Sequence, residues 1–147
     1  MKVLVSACLL GTRCKWNGRS NENQEIISLK ENYELIPACA ESLAGLPTPR
    51  IPSEIVDGKV INEIGLDLTS RFNFGAEQVL QIALKNDCKA AILYNGSPSC
   101  GSSLVYNGKF ERTKIPGEGI TTKLLRANGI IVYSETEIQK FLEDFPF

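Results

Sequence analysis

The stretch "KVLVSACL", residues 2–9, decides the fold class of this 147-residue chain. Its first six residues, Lys2 to Ala7, form a short apolar run that predicts a strand buried on both faces, as strands of parallel sheets are. Gly11 and Arg13 follow at once, and no small-residue cleavage site closes the run. We therefore expect a first strand and not a signal peptide.

Similar short apolar runs alternate with helical patterns along the rest of the chain. Such alternation is typical of βα units that stack into one mostly parallel sheet with helices on both faces. The later strands are predicted at residues 33–37, 89–94 and 130–133. Asp57-Gly58 lies between two short apolar runs, which predicts a small appended hairpin at residues 55–61. Two prolines exclude regular structure from residues 46–50.

Helix signals lie between these runs, at residues 23–31, from Thr69 onward, at 120–127 and after Ser134. Thr69 is expected to cap the longest helix, and apolar residues at three- and four-residue spacings are expected to pack it on the sheet. These residues are Phe72, Ala76, Val79, Leu80, Ala83 and Leu84. Asn128-Gly129 should end the next helix. Ser134 and Glu137 predict a capping box for the last helix, which should end near Phe141 or Leu142.

These elements predict an α/β fold: one Rossmann-like, open, mostly parallel sheet in a single domain that spans residues 1–147. Sixteen basic and seventeen acidic residues give a net charge of -1 without runs of like charge, which argues against nucleic-acid or membrane-surface partners. No window approaches the roughly 18 apolar residues of a membrane span. We expect a cytoplasmic protein whose partner is a small molecule.

Five cysteines and no histidine define the chemistry that is available. The odd number argues against a closed set of disulfides, and in a reducing compartment such thiols are more often metal-binding, catalytic or buried. The lack of histidine excludes His-based triads, Cys–His nucleophile pairs and His-containing zinc sites. Any reaction therefore uses Cys, Asp, Glu, Ser, Tyr, Lys or Arg.

Three of the thiols come just after predicted strands. Cys8 follows the first strand, Cys39 lies two residues after the second, and Cys100 lies in the loop after the 89–94 strand. Because loops after parallel strands gather at one edge, near the switch in strand order, we expect these thiols to meet there. Cys14 lies further out in the first loop and is either a further ligand or a spectator. Cys88 precedes its strand, so we expect a buried structural thiol at the opposite edge.

Three thiolates without histidine suit a soft metal centre, either an iron–sulfur cluster or, if Cys14 joins them, zinc. Two alternatives stay open. The thiols are small core residues, or one of them is a nucleophile activated by a helix N-terminus or a cation.

Three further side chains are candidates for the same site. Glu41 follows Cys39 by two residues and is the obvious carboxylate for proton transfer. Ser97 precedes Cys100 by three residues and offers a hydroxyl to orient a ligand. Arg50 ends a stiff Pro-Thr-Pro segment, which either aims the guanidinium at a polar ligand or supports a surface loop.

Six motifs occur in the order SACLLG (6–11), WNG (16–18), CAESLAGLPTPR (39–50), FNFGA (72–76), SPSCG (97–101) and GITTKLLRANGI (119–130). In this combination the chain resembles the bacterial family, first defined as a domain of unknown function, that includes the 2-thiouracil desulfidases. The resemblance extends from about residue 3 to residue 135 and covers nearly the whole chain.

The resemblance implies a 4Fe–4S cluster held by Cys8, Cys39 and Cys100 only, with one iron open to take the sulfur of a thiolated base. It implies that this iron polarises the thiocarbonyl while water attacks the carbon, so that sulfide leaves without net electron transfer. Glu41 and Ser97 match family positions that assist catalysis. The resemblance implies that Glu41 moves the proton of the water and that Ser97 positions the base or the water.

The sequence departs from the family pattern at three positions. Ala40 and Ala44 replace the proline and a glycine that commonly follow the second cysteine, and Tyr94 replaces a lysine. The alternative function is a non-catalytic one. A sensor with the same cluster, or with zinc, would keep its signal after substitution of Glu41, and a cluster-free metabolite-binding domain would tolerate loss of the three cysteines.

Overall fold

The structure is a computed structural model that describes residues 1–147. Its strands are β1 (Lys2–Ser6), β2 (Glu34–Ala38), β3 (Ser53–Val56), β4 (Lys59–Asn62), β5 (Ala90–Leu93), β6 (Leu104–Tyr106), β7 (Lys114–Pro116) and β8 (Ile131–Ser134). Its α-helices are α1 (Gln24–Ile27), α2 (Ala40–Leu43), α3 (Thr69–Lys85), α4 (Ile120–Ala127) and α5 (Ile138–Asp144).

Four strands form one parallel sheet in the order β2-β1-β5-β8. The chain moves from β1 to one side for β2 and to the other side for β5, so the strand order reverses at β1. The pairs β3–β4 and β6–β7 are antiparallel hairpins outside this sheet. The predicted open, mostly parallel α/β sheet with an appended hairpin is confirmed.

Helices cover both faces of the sheet. Val3 and Val5 of β1 face a core that includes residues of α1 and α5, whereas Leu4 faces the core formed with α3 and α4. Because side chains alternate along a strand, this two-sided burial explains the continuous apolar run in β1. Cys88 is buried in the second core, before β5, as the sequence predicted. No helix combines the length and the apolar character that crossing a bilayer requires.

Local signals located most of the elements. Asp57 and Gly58 both have positive φ, 48° and 78°, as the two-residue turn of the predicted hairpin requires. The predicted helix at 120–127 is α4. The predicted helix at 23–31 is α-helical only to Ile27 and continues as a 3-10 turn. The hairpin β6–β7 was not predicted.

The predicted role of Thr69 as a helix cap is wrong. Thr69 is the first residue of α3, and its hydroxyl oxygen accepts a hydrogen bond from the backbone N–H of Val60, at 2.9 Å. The carboxylate of Asp67 instead accepts from the N–H of Thr69, at 2.9 Å. Thr69 therefore ties the helix to the β3–β4 hairpin. Leu84 does not pack on the sheet either, since it is 48% exposed at the edge of the apolar face.

The capping box of the last helix is only half formed. The carboxylate of Glu137 accepts from the N–H of Ser134, at 2.9 Å, but the Ser134 hydroxyl pairs with the hydroxyl of Thr136. The helix continues past Leu142 to Asp144. Phe141 at its centre is fully buried among aromatic rings, and these contacts extend the helix beyond its predicted end.

Candidate active site at the carboxyl edge of the sheet

A cavity of about 320 Å³ lies at the carboxyl ends of β1, β2 and β5. The structure brings together on its wall six residues that the sequence nominated: Cys8, Cys14, Cys39, Cys100, Glu41 and Ser97. They come from three loops that follow three neighbouring strands, so the parallel topology is what gathers them. All five cysteines of the chain are free thiols.

Cys8 lies in a 3-10 turn, Ala7–Leu10, that begins directly after β1. Gly11 ends this turn with a φ of 101°, a conformation that favours glycine. The amide nitrogen of Asn21 lies 3.7 Å from the Cys8 sulfur, and the Asn21 backbone N–H donates to the Cys8 carbonyl at 2.9 Å. The returning loop thus holds Cys8 against the sheet edge.

Cys39 lies between the end of β2 and the first residue of α2, with an extended backbone. Contact with the Cys14 thiol, together with burial, raises the pKa of Cys39, although Ser42 donates hydrogen bonds to it. Cys14 contacts the thiols of both Cys39 and Cys8. The contact with Cys39 lowers the pKa of Cys14, but the contact with Cys8 and burial outweigh it and raise the pKa to about 11. Without a metal, the thiols of Cys14 and Cys39 are protonated at neutral pH.

Cys100 is positioned by a turn that Ser97 stabilises. The Ser97 hydroxyl oxygen accepts from the N–H of Ser99, at 3.0 Å, and from the N–H of Cys100, at 2.9 Å. Burial raises the pKa of Cys100 to about 12, although hydroxyls of Ser6 and Ser97 hydrogen-bond to the thiol. Ser6, the last residue of β1, lines the cavity and was missed in the sequence. Its position at a strand end, two residues before Cys8, was the signal available in the sequence.

The loop after β5 is anchored on two sides. The buried side-chain oxygen of Asn95 accepts from the N–H groups of Ser102, Ser103 and Leu104, at 3.0 to 3.3 Å. The Thr122 hydroxyl in α4 donates to the Cys100 carbonyl at 3.0 Å. Buried groups satisfied in this way make the loop rigid, because leaving any of them unpaired is unfavourable.

Glu41 forms an ion pair with Arg50, with 3.0 Å between Oε2 and the guanidinium. The side chains are only 19% and 7% exposed. Burial raises the pKa of Glu41, and the neighbouring Arg50 charge opposes that rise. Arg50 also donates to the carbonyls of Cys14, at 2.8 Å, and Pro47, at 3.2 Å. Arg50 therefore holds the Glu41 carboxylate and the Cys14 loop together rather than projecting into the cavity as a ligand.

The arrangement of the thiols favours a cluster over a single metal ion. Although the Cys14 thiol contacts two other thiols, no group of three Cys, Asp or Glu side chains is arranged so that it could hold one ion. Zinc needs four ligands around one atom, and these thiols form no such group in the structure. In an iron–sulfur cluster each thiolate binds its own iron, so thiols spread around a cavity wall fit this group.

A parallel α/β sheet that carries buried thiols, a carboxylate and a hydroxyl in one cavity at its carboxyl edge has the groups and the location typical of a ligand-binding or catalytic site in this class of protein. The sequence matches the model of the 2-thiouracil desulfurase family over residues 3–137, and the chain belongs to that family.

Two relatives are similar over nearly their whole length. The chain is 38% identical over 150 residues to the protein called uncharacterized protein YbbK of Bacillus subtilis (strain 168). The match covers 95% of this chain and 99% of YbbK. It is 41% identical to a solved structure of the 4Fe–4S-dependent thiouracil desulfidase TudS. That match has a TM-score of 0.92 and covers 97% of this chain and 96% of the other.

Proposed function

We propose that this chain removes sulfur from a small thiolated pyrimidine such as 2-thiouracil. The C=S group and one water become a C=O group and sulfide, so no net electron transfer occurs. Membership of the 2-thiouracil desulfurase family supports this reaction. The observation that carries the proposal is the convergence of three strand-end thiols with Glu41 and Ser97 on one cavity.

In the proposed holoenzyme, Cys8, Cys39 and Cys100 hold a 4Fe–4S cluster that keeps one iron free of protein ligands. The dependence of TudS on such a cluster supports this choice of cofactor. When bound, the cluster supplies a Lewis acid for the thiocarbonyl sulfur. The three thiols bind as thiolates, so cluster insertion releases protons. Cys14 stays beside Cys8 and Cys39 as a neutral thiol.

Glu41 accepts the proton of the attacking water in this proposal. Its Oε2 is held by Arg50, which leaves Oε1 available to a water in the cavity. A carboxylate with one fixed oxygen has little freedom to turn away, so its second oxygen is oriented in advance.

Ser97 has a double role in the proposal. Its oxygen already accepts two backbone N–H groups, so its hydroxyl proton is left to donate, either to the Cys100 sulfur or, in the reaction, to the thiolated base or the water. The same two bonds position Cys100. Substitution of Ser97 should therefore weaken both catalysis and cluster binding, whereas substitution of Glu41 should leave the cluster intact.

The experiment combines anaerobic reconstitution with measurements of iron, acid-labile sulfide, the visible spectrum and sulfide release from 2-thiouracil. Alanine variants of Cys8, Cys39 and Cys100 should lose the cluster. Cys88→Ala is the matched control, because Cys88 is a buried thiol outside the cavity. Cys14→Ala should also retain the cluster.

Glu41→Gln separates an enzyme from a sensor. We expect it to keep the iron content and the spectrum of the wild type and to lose sulfide release by about 100-fold or more, the usual contribution of a general base. A reconstituted wild type that releases no sulfide, or a cluster that survives loss of any one of the three thiols, would contradict the proposal.

A further inference from the structure

The loop between β6 and β7, residues 107–113, contributes to the wall of the same cavity that the thiols line. Phe110 and Arg112 of this loop line the cavity, together with Tyr106 at the end of β6. Phe110 and Arg112 have φ values of 54° and 58°. Residues with side chains rarely adopt this left-handed conformation, and where they do the surrounding structure enforces it, often at functional sites.

The group that enforces the conformation is Glu54 of β3. Its side chain is buried, and Oε1 accepts from the N–H of Gly108, at 2.9 Å, and of Phe110, at 3.2 Å. Glu54 takes part in none of the three ion pairs of the chain. A buried carboxylate without a cation needs such charge-assisted hydrogen bonds. Oε1 is therefore committed to the shape of this loop, and the Glu54 side chain itself also lines the cavity.

The loop also packs directly on β3. A Cβ atom at Gly108 would lie 2.7 Å from the carbonyl oxygen of Ile55, so only glycine allows this approach. A further bond joins the two ends of the loop, because the backbone N–H of Asn107 donates to the Thr113 carbonyl at 2.9 Å. The backbone of Phe110 is thus held in place before any ligand arrives, which lowers the entropic cost of placing its ring against a ligand.

We propose that Phe110 recognises the substrate by stacking on its ring, and that Glu54 is the positioning residue for this contact. The inference rests on the proposed function and assigns to this loop the preference for planar heteroaromatic thiocarbonyl compounds over acyclic ones. Flat rings bind well against an aromatic face at the wall of a mostly apolar pocket. An acyclic thiocarbonyl such as thiourea has the same C=S group but no ring to stack.

The test measures binding of uracil, the oxygen analogue of 2-thiouracil, and of thiourea to cluster-loaded protein by calorimetry, and KM and kcat for 2-thiouracil. Phe110→Leu keeps a large apolar side chain and removes its aromatic face. We expect it to weaken uracil binding and raise KM for 2-thiouracil by about tenfold, with kcat little changed and with no effect on thiourea binding. Phe110→Tyr should restore wild-type values.

Two more variants complete the test. Glu54→Gln should shift the same constants in the same direction by a smaller factor, because the amide oxygen keeps weaker versions of both bonds. Lys109→Ala is the matched control, since Lys109 is an exposed residue of the same loop that does not line the cavity. It should behave as the wild type. Iron content and circular dichroism establish that each variant is folded and loaded.

The outcomes separate this inference from the proposed function. If Phe110→Leu matches the wild type, or weakens the binding of uracil and of thiourea alike, stacking by Phe110 is refuted while desulfuration stands. If the wild type releases no sulfide but binds uracil in a Phe110-dependent way, the proposed reaction fails and the recognition of planar rings stands. If the loaded wild type neither binds uracil nor releases sulfide, both are refuted.

Discussion

Removal of Arg50 should destabilise the protein strongly, because it leaves the Glu41 carboxylate without its partner in a buried environment. The Arg50 side chain is 7% exposed and makes three side-chain hydrogen bonds, to Glu41, Cys14 and Pro47. Loss of one partner of a buried ion pair costs about 3–5 kcal/mol. We expect Arg50→Met to lie in that range, since methionine fills part of the space but satisfies neither the carboxylate nor the Cys14 carbonyl.

A double-mutant cycle isolates the ion pair from the other bonds of Arg50. Arg50→Met, Glu41→Gln and the double variant are unfolded with urea as cluster-free protein, and the free energies of unfolding are compared. We expect a coupling energy of about 1.5–3 kcal/mol. Arg126 and Glu118 form the matched control pair, with 2.6 Å between their charged groups but 36% and 38% exposure. Their coupling should be about 0.2–1 kcal/mol.

Comparison of the two coupling energies tests whether the Glu41–Arg50 pair is shielded from solvent. Equal coupling energies, or a cost below about 1 kcal/mol for Arg50→Met, would show that Glu41 is solvated in the cluster-free protein. Arg50 would then not fix one oxygen of the Glu41 carboxylate, and the second oxygen would not be oriented in advance for the attacking water.

Three further changes test the packing around the site. Gly75→Ala should destabilise by about 1–3 kcal/mol despite the better helix propensity of alanine, because its Cβ would lie 2.1 Å from the Ala40 carbonyl oxygen. The exposed Asn73→Ala in α3 should stay within about 0.5 kcal/mol in urea unfolding, and equal effects would contradict the close α2–α3 contact. Asn95→Ala should cost about 2–4 kcal/mol and reduce iron retention, because three N–H groups lose their acceptor; unchanged stability would show that water replaces it. Burial and the hydrogen bond to Asp144 raise the pKa of Tyr133, so the folded state keeps a proton that the unfolded state loses above about pH 10. The stabilisation is complete below that pH and is lost as pH rises further towards the folded-state pKa. The free energy of unfolding of Tyr133→Phe should therefore fall by about 1.4 kcal/mol less than that of the wild type between pH 9 and pH 11. Parallel pH profiles of the two proteins would contradict this.

The sequence alone predicted the parallel sheet and the position of each sheet strand, because each strand is a short apolar run whose ends are marked locally. Cys8, Cys39 and Cys100 follow such runs, so their placement at one edge required only the parallel topology. Helix ends were less predictable. Thr69 was predicted as a cap from its residue type, but its hydroxyl oxygen accepts a hydrogen bond from the backbone N–H of Val60 in β4, nine residues earlier in the chain.

The pairs Glu41–Arg50 and Glu54–Phe110 were decided by the tertiary structure. Arg50 was a candidate for binding a polar ligand in the sequence, yet its guanidinium donates to the Cys14 carbonyl, 36 residues away, as well as to Glu41. Glu54 is 56 residues from Phe110, and β6 and β7 are three-residue strands without a strong local pattern. The sequence by itself thus determined which chemical groups stand at the edge of the sheet. Only the tertiary structure determined which oxygen of Glu41 is held by Arg50 and which loop lines the cavity beside the thiols. Those contacts join segments whose separation along the chain follows neither helical nor strand periodicity, so no local pattern predicts them.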